Sequence, residues 1–269
     1  QQIAEKGIRV VSNAGGVNPA ALAARLRERI SELGLGLTVG CLEGDCLMHR
    51  VGDYADAHDM FNGRPFPKSG LTSANAYLGA FPIAQMFESG ADVVVTGRVV
   101  DSALVLGPLV KEFGWNAGDL DQLAGGTLAG HLIECGAQVT GGTFTDWREV
   151  RGWADIGAPI AECFRDGSCI ITKPEGSGRL VSFGTVAEQL PYETGDPAAY
   201  IVPDVTCDFS TVTITDVGQD RVLVANATGL APPECLKACA TWDDAWRAIA
   251  YQPVIGPFAA EKARKQADA

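Results

Sequence analysis

The chain has 269 residues, 46% of them hydrophobic, which is enough to bury a full core and excludes wholesale disorder. Lys and Arg number 21 against 33 Asp and Glu, a formal charge of −12 that argues against nonspecific nucleic-acid binding. No run reaches the roughly 18 apolar residues of a membrane span, since the apolar stretch 93–110 is broken by Arg98 and Asp101.

In chain order, a β-branched run at 8–12 predicts a strand, and Asn13, Ala14, Gly15 and Gly16 predict a turn. Asn18 is a suitable N-cap with Pro19 at the first helical position. Leu22, Leu26, Ile30 and Leu33 recur at helical spacing, so a helix is expected over 19–33, stopped by Gly34. A strand is expected at 37–39, then a loop from 41 to about 73. An apolar helix over 76–87 follows, with Pro82 expected to kink it. The Val run at 92–95 reads as a buried strand. Helices are expected over 102–113 and 120–135, capped by Asp101 and Asp119. This β-α-β-α order predicts an α/β fold, with a parallel sheet covered by helices.

The second half predicts a smaller mixed α+β unit. Strands are expected at 137–140, 169–172 and 246–254, a short helix at 185–190, and a further helix from 257. A hairpin is expected from 211–215 and 221–224 around Gly218, Gln219 and Asp220. The expected division is a Rossmann-like α/β domain over 1–155 and a mixed region over 156–269, incomplete at its end. The chain opens Gln1-Gln2-Ile3 and closes within a helix-forming run at Ala269, which points to a piece of a longer protein. Eight scattered cysteines with no C-x-x-C pair read as reduced thiols of a cytoplasmic protein. They supply no zinc motif.

Several longer motifs carry a resemblance. They are Ser12-Asn13-Ala14-Gly15-Gly16 with Asn18-Pro19, the run from Val95 to Leu104, and the run from Gly125 to Gly136. Gly141-Gly142-Thr143-Phe144-Thr145-Asp146-Trp147 and Lys173-Pro174-Glu175-Gly176 belong with them, as do Gly195-Asp196-Pro197 and Pro203-Asp204-Val205. In this order they resemble the bacterial acyclic terpene utilisation family, AtuA, over nearly the whole chain. The resemblance implies a part in the breakdown of acyclic terpenes such as citronellol and geraniol, whose intermediates are CoA thioesters. It also implies lyase or hydratase chemistry, and a glycine-rich segment ahead of this start.

In an open parallel sheet, ligands bind beyond the carboxyl ends of the strands. Asn13, Gly15, Gly16 and Asn18 form one such loop, whose backbone N–H groups can meet an anion or simply make a tight capped turn. Glu43 and Asp45 form a second, able to act as general base, meet a ribose, hold a divalent metal, or stand as a solvated acidic turn. Thr96, Gly97 and Arg98, with Asp101, form a third, where the guanidinium can clamp a carboxylate or phosphate. His131 and Glu134 share a helix face and can pass a proton, or the histidine can simply be packed. Thr143 and Asp146 can supply hydroxyl and carboxylate contacts, and Lys173 can meet an oxyanion or sit in a surface hairpin.

The leading expectation is an enzyme acting on a CoA thioester or other acidic small molecule. Glu43, Asp146 and His131 are its expected catalytic groups; the other named residues are its expected substrate contacts. No metal or cofactor is expected with assurance. The alternative is a noncatalytic binding or assembly module, as a homo-oligomer or with a catabolic enzyme partner. Nucleotide binding through Gly15, Gly16 and Glu43 is a third reading.

Overall fold

A computed structural model describes residues 1–268 except 17, 68, 156, 244–246, 248 and 250. The first half runs α1 (Gln2–Lys6), β1 (Val10–Ser12), α2 (Pro19–Glu32), β2 (Val39–Leu42), a 3-10 segment (Met48–Tyr54) and β3 (Leu71–Ala76). It continues through α3 (Phe81–Glu88), β4 (Val93–Thr96), α4 (Ala103–Phe113) and α5 (Leu120–Ile133). β1, β4 and β2 form a parallel sheet in that spatial order.

Alternation along β4 sorts its two faces. Val95 packs in a small cluster with Ala23 and Val39, joined by Leu22, Leu26 and Ile30 of α2. Val94 belongs to the main core with Ile83, Ala84 and Phe87 of α3 and Leu106 of α4. The parallel sheet is therefore covered on both faces, as its Val-rich strands require.

α5 is buried from Leu123 to Leu132 and lies between the α4 layer and the second half. Small residues permit this. A Cβ on Gly130 would come within 2.7 Å of the Ser102 backbone, so α4 and α5 touch there without intervening side chains.

The second half adds β5 (Ile160–Cys163), β6 (Cys169–Thr172), α6 (Phe183–Gln189), β7 (Tyr200–Val202), β8 (Val205–Asp208), β9 (Thr213–Gly218), β10 (Arg221–Ala225), β11 (Thr228–Leu230), β12 (Ala238–Trp242) and α7 (Ala259–Ala267). Its sheets run β5-β6-β10-β9 and β11-β8-β7. β12 returns to pair antiparallel with β3 of the first half. One core cluster contains Leu123 and Val94 together with Ile171, Val205 and Val222. The fold is mixed α/β, with the parallel sheet in the first half and antiparallel sheets in the second.

Local details differ from the sequence expectation. Pro82 starts α3 instead of kinking a longer helix, and Ala76 ends β3. A proline lacks an N–H and suits the first turn, where none is needed. The second strand is Val39–Leu42, two residues later than expected, because the Thr38 backbone is held by Asp92. Residues 136–138 form a 3-10 turn in place of a strand, entered through Gly136 at φ +58°. Asp119 does not cap α5 with its side chain but accepts from Asn116. Asp101 likewise makes no cap on α4; its carboxylate accepts from Asn13. For the strand expected at 246–254, positions 246, 248 and 250 lie outside the described residues, and 247, 249 and 251–254 form no strand. Pro253 removes a ladder donor there.

Candidate functional site

Because the sheet is parallel, the loops after β1, β2 and β4 emerge at one edge. The loop after β1 is held close to β4. A Cβ on Gly15 would lie 2.5 Å from the Thr96 carbonyl oxygen, so no larger residue fits without displacement. Asn18 caps α2 by accepting from the Ala21 N–H at 3.0 Å. Gly16, at φ +50°, completes the turn, and Thr96 is fully buried with its hydroxyl donating to the Gly97 carbonyl.

The loop after β2 separates its two carboxylates. Glu43 points to solvent. Asp45 is 4% exposed, and its Oδ2 accepts from the Arg98 backbone N–H at 2.9 Å and the Asn75 amide at 2.8 Å. A Cβ on Gly97 would sit 2.3 Å from Asp45 Oδ1. Asp45 therefore shapes the Gly97-Arg98 turn with its charge-assisted hydrogen bonds.

That turn projects Arg98 outward into a cleft of about 470 Å³. The Arg98 guanidinium lies 5.2 Å from the centre of the Tyr77 ring, and Lys237 Nζ lies 5.4 Å from the same ring. Neither cation has an ion-pair partner among the described residues. Burial and a hydrogen bond from Cys239 push the Tyr77 phenol up, the hydrogen bond being the larger cause. Elsewhere in the cleft stand Asp101, Glu134 and Glu193, beside Tyr200, Ile201 and Leu236. The cleft thus holds two cations without ion-pair partners among the described residues, the four carboxylates of Asp101, Glu134, Glu193 and Asp196, and apolar side chains beside them. Such a mixture suits an anionic molecule with an apolar portion.

Of the residues singled out from the sequence, Arg98 and Asp101 line the cleft, and Asn13 reaches it through a 3.2 Å hydrogen bond to Asp101. Gly15, Gly16, Asn18, Asp45, Thr96 and Gly97 build the loops that place those groups. Glu43 and Asp146 are exposed and do not line the cleft. Thr143 lies at a separate hollow with Glu188 and Tyr192. Lys173 is turned inward, bonded to the Ser177 carbonyl at 2.8 Å and to Asp220 at 3.1 Å. His131 is fully buried behind Glu134.

The sequence reading missed Tyr77, Glu193, Tyr200 and Lys237. Gly195-Asp196-Pro197 and Pro203-Asp204-Val205 were visible as motifs and flank the cleft segment containing Tyr200. Asp204 shows why such a motif is placed there. Its carboxylate, 8% exposed, accepts from the Ala80 N–H at 2.8 and 3.0 Å and so ties this segment to the start of α3.

The family model described as acyclic terpene utilisation family protein AtuA matches residues 1–269. The chain belongs to the AtuA family. Membership carries with it a role in acyclic terpene utilisation. No curated protein and no solved structure matches significantly. In this AtuA chain, all eight cysteines are free thiols, and three or more His, Cys, Asp or Glu side chains do not gather as a metal site among the described residues. Nor is any described helix long and apolar enough to cross a membrane.

Proposed function

We propose that the cleft binds an acidic small molecule, a CoA thioester or related acyl compound, and promotes lyase- or hydratase-type proton transfer on it in the cytoplasm. The observation that carries this reading is Arg98, a guanidinium without an ion-pair partner among the described residues, held at a strand end in a cleft that also holds carboxylates and the apolar side chains of Ile201 and Leu236. A guanidinium meets carboxylate or phosphate oxygens bidentately and stabilises negative charge as it develops. A carboxylate across the cleft can take or give the proton. In this arrangement the acid–base work falls to Glu134, Asp101 or Glu193 in place of Glu43 and Asp146.

The test is a thermal-shift series with CoA, a branched acyl-CoA such as 3-methylbutanoyl-CoA, nucleotides and divalent metals. A rise with the acyl-CoA that disappears in Arg98→Ala is the expected result. A rise that persists unchanged in Arg98→Ala would overturn the site assignment.

A second reading has its own observation. Ile249, Tyr251, Ile255 and Phe258 are 66–90% exposed near the end of the chain. Large apolar side chains this exposed within one stretch of chain favour contact with another protein or a second copy. Sedimentation of the purified chain distinguishes a homo-oligomer from a monomer, and co-purification with a second polypeptide would support an assembly role.

A further inference from the structure

Behind the cleft, His131 lies on α5 with no exposed surface. Its ring centroid is 5.4 Å from that of Tyr200 and 6.4 Å from that of Phe209, an aromatic enclosure that excludes water. Nε2 is 3.1 Å from the Leu190 carbonyl oxygen. A carbonyl oxygen only accepts, so Nε2 carries a hydrogen. Nδ1 is 3.1 Å from Glu134 Oε1. With Nε2 protonated, a bare Nδ1 opposite an ionised carboxylate would set lone pair against lone pair where no water can intervene. A proton between the two atoms removes that conflict.

The surroundings place the pair at the cleft. Glu134 is 15% exposed at its side chain and lines the cleft, and its Oε2 has no hydrogen-bond partner among the described residues. Asp101, Glu193 and Asp196 line the same cleft as further carboxylates, and Arg98 and Lys237 line it as cations. The backbone of the histidine is fixed as well, since the Gln189 amide donates to the His131 carbonyl at 3.3 Å.

We infer that His131 and Glu134 hold one proton between Nδ1 and Oε1, and that His131 is a positioning residue that presents Glu134 Oε2 to the cleft as its proton acceptor. What Oε2 acts on rests on the function proposed above; where the proton sits does not. In the step, a bond to hydrogen in the ligand breaks and its electron pair stays on the ligand, facing Arg98. The proton ends on Oε2, and the hydrogen bond between Nδ1 and Oε1 stays in place. Fixing one carboxylate oxygen removes the rotation that would otherwise misdirect the other.

Nuclear magnetic resonance of the whole chain labelled with ¹⁵N-histidine tests the first half directly. Only three histidines are present, and His131→Phe identifies the signal. The expected spectrum has a proton on Nε2 and a second, strongly downfield proton at the Nδ1–Oε1 contact. That second resonance should vanish in Glu134→Gln, whose amide can donate to a bare Nδ1 and so keep the fold. A bare Nδ1 beside an ionised Glu134 in the wild type, or a bare Nε2, overturns the inference. The positioning role is read from exchange of the α-hydrogens of 3-methylbutanoyl-CoA in deuterated solvent. Exchange should fall at least ten-fold in His131→Phe and recover in part in His131→Asn, whose amide can donate to Oε1. Equal exchange in wild type and His131→Phe overturns the positioning role. Absence of exchange in the wild type, with the downfield proton present, instead counts against the proposed function and leaves the proton assignment standing.

Discussion

Two cationic groups in this chain looked alike in the sequence and have opposite surroundings. Lys173 follows β6 in a glycine-rich loop, and Arg98 follows β4 just after Gly97. Lys173 is 7% exposed at its side chain and engaged by Asp220 and the Ser177 carbonyl. Arg98 is exposed, stacked beside Tyr77, and without an acidic partner among the described residues. The same contrast separates two carboxylates. Asp45 spends both its burial and its charge on the Arg98 and Asn75 donors, whereas Glu134 lines the cleft and its Oε2 has no hydrogen-bond partner among the described residues. A charged residue in a strand-end loop thus serves either the loop's own construction or an outside molecule, according to whether partners saturate it.

The largest expected effect lies on the saturated side. Asp45→Ala leaves the part-buried Arg98 N–H and Asn75 amide without their acceptor and should cost roughly 2–4 kcal/mol of stability. Urea unfolding measures this. Glu43→Ala, two residues away and exposed, should stay within about 0.5 kcal/mol of wild type. Equal losses in the two variants would erase the distinction between them.

Lys173→Ala comes next. It strands the partly buried Asp220 carboxylate, although Asp220 keeps its bond from the Val181 N–H. A loss of about 1–2 kcal/mol is expected, with ligand binding unchanged. A loss of acyl-CoA binding without a loss of stability would instead place Lys173 among the ligand contacts.

Arg98→Ala should behave the other way round. Its ring contact is worth only about 0.5–1 kcal/mol at an exposed position, so unfolding should move little. Binding of 3-methylbutanoyl-CoA should weaken about ten-fold, equivalent to roughly 1.4 kcal/mol. Titration calorimetry reads this directly.

These contrasts show what sequence reasoning could reach. Local chemistry was legible: Asn18 and Pro19 start α2, the Val run is β4, and 213–218 with 221–225 is a hairpin turning at Asp220. The strand-end rule also pointed to Arg98 and Asp101. Long-range assembly was not legible. Lys237 enters the cleft because β12 pairs with β3 over more than 160 residues of chain, and no local pattern encodes that pairing. Glu43 and Asp45 looked like a pair because they are adjacent in sequence, but Gly44 at φ +113° turns the chain between them, leaving one buried and the other exposed.

The smallest expected effect concerns a carboxylate of the saturated kind that touches the cleft's rim. Asp204 is adjacent to Pro203 of the cleft lining and joins β8 to the start of α3 through the Ala80 N–H. Burial pushes its carboxyl up from the ordinary value, and the backbone hydrogen bonds only partly counter this. A raised acid binds its proton more tightly in the folded chain than in the unfolded one. The stability linked to that proton is fully present below the unfolded value and is lost as pH rises through the folded one. Asp204→Asn carries no such titration. The stability of wild type relative to this variant should therefore decline as pH rises from below 4 through the raised value, then level off. Urea midpoints across that range measure it. A difference that grows with pH would mean that the Ala80 and Phe81 N–H groups outweigh burial, and that Asp204, like Asp45, is held chiefly as an anion by backbone donors.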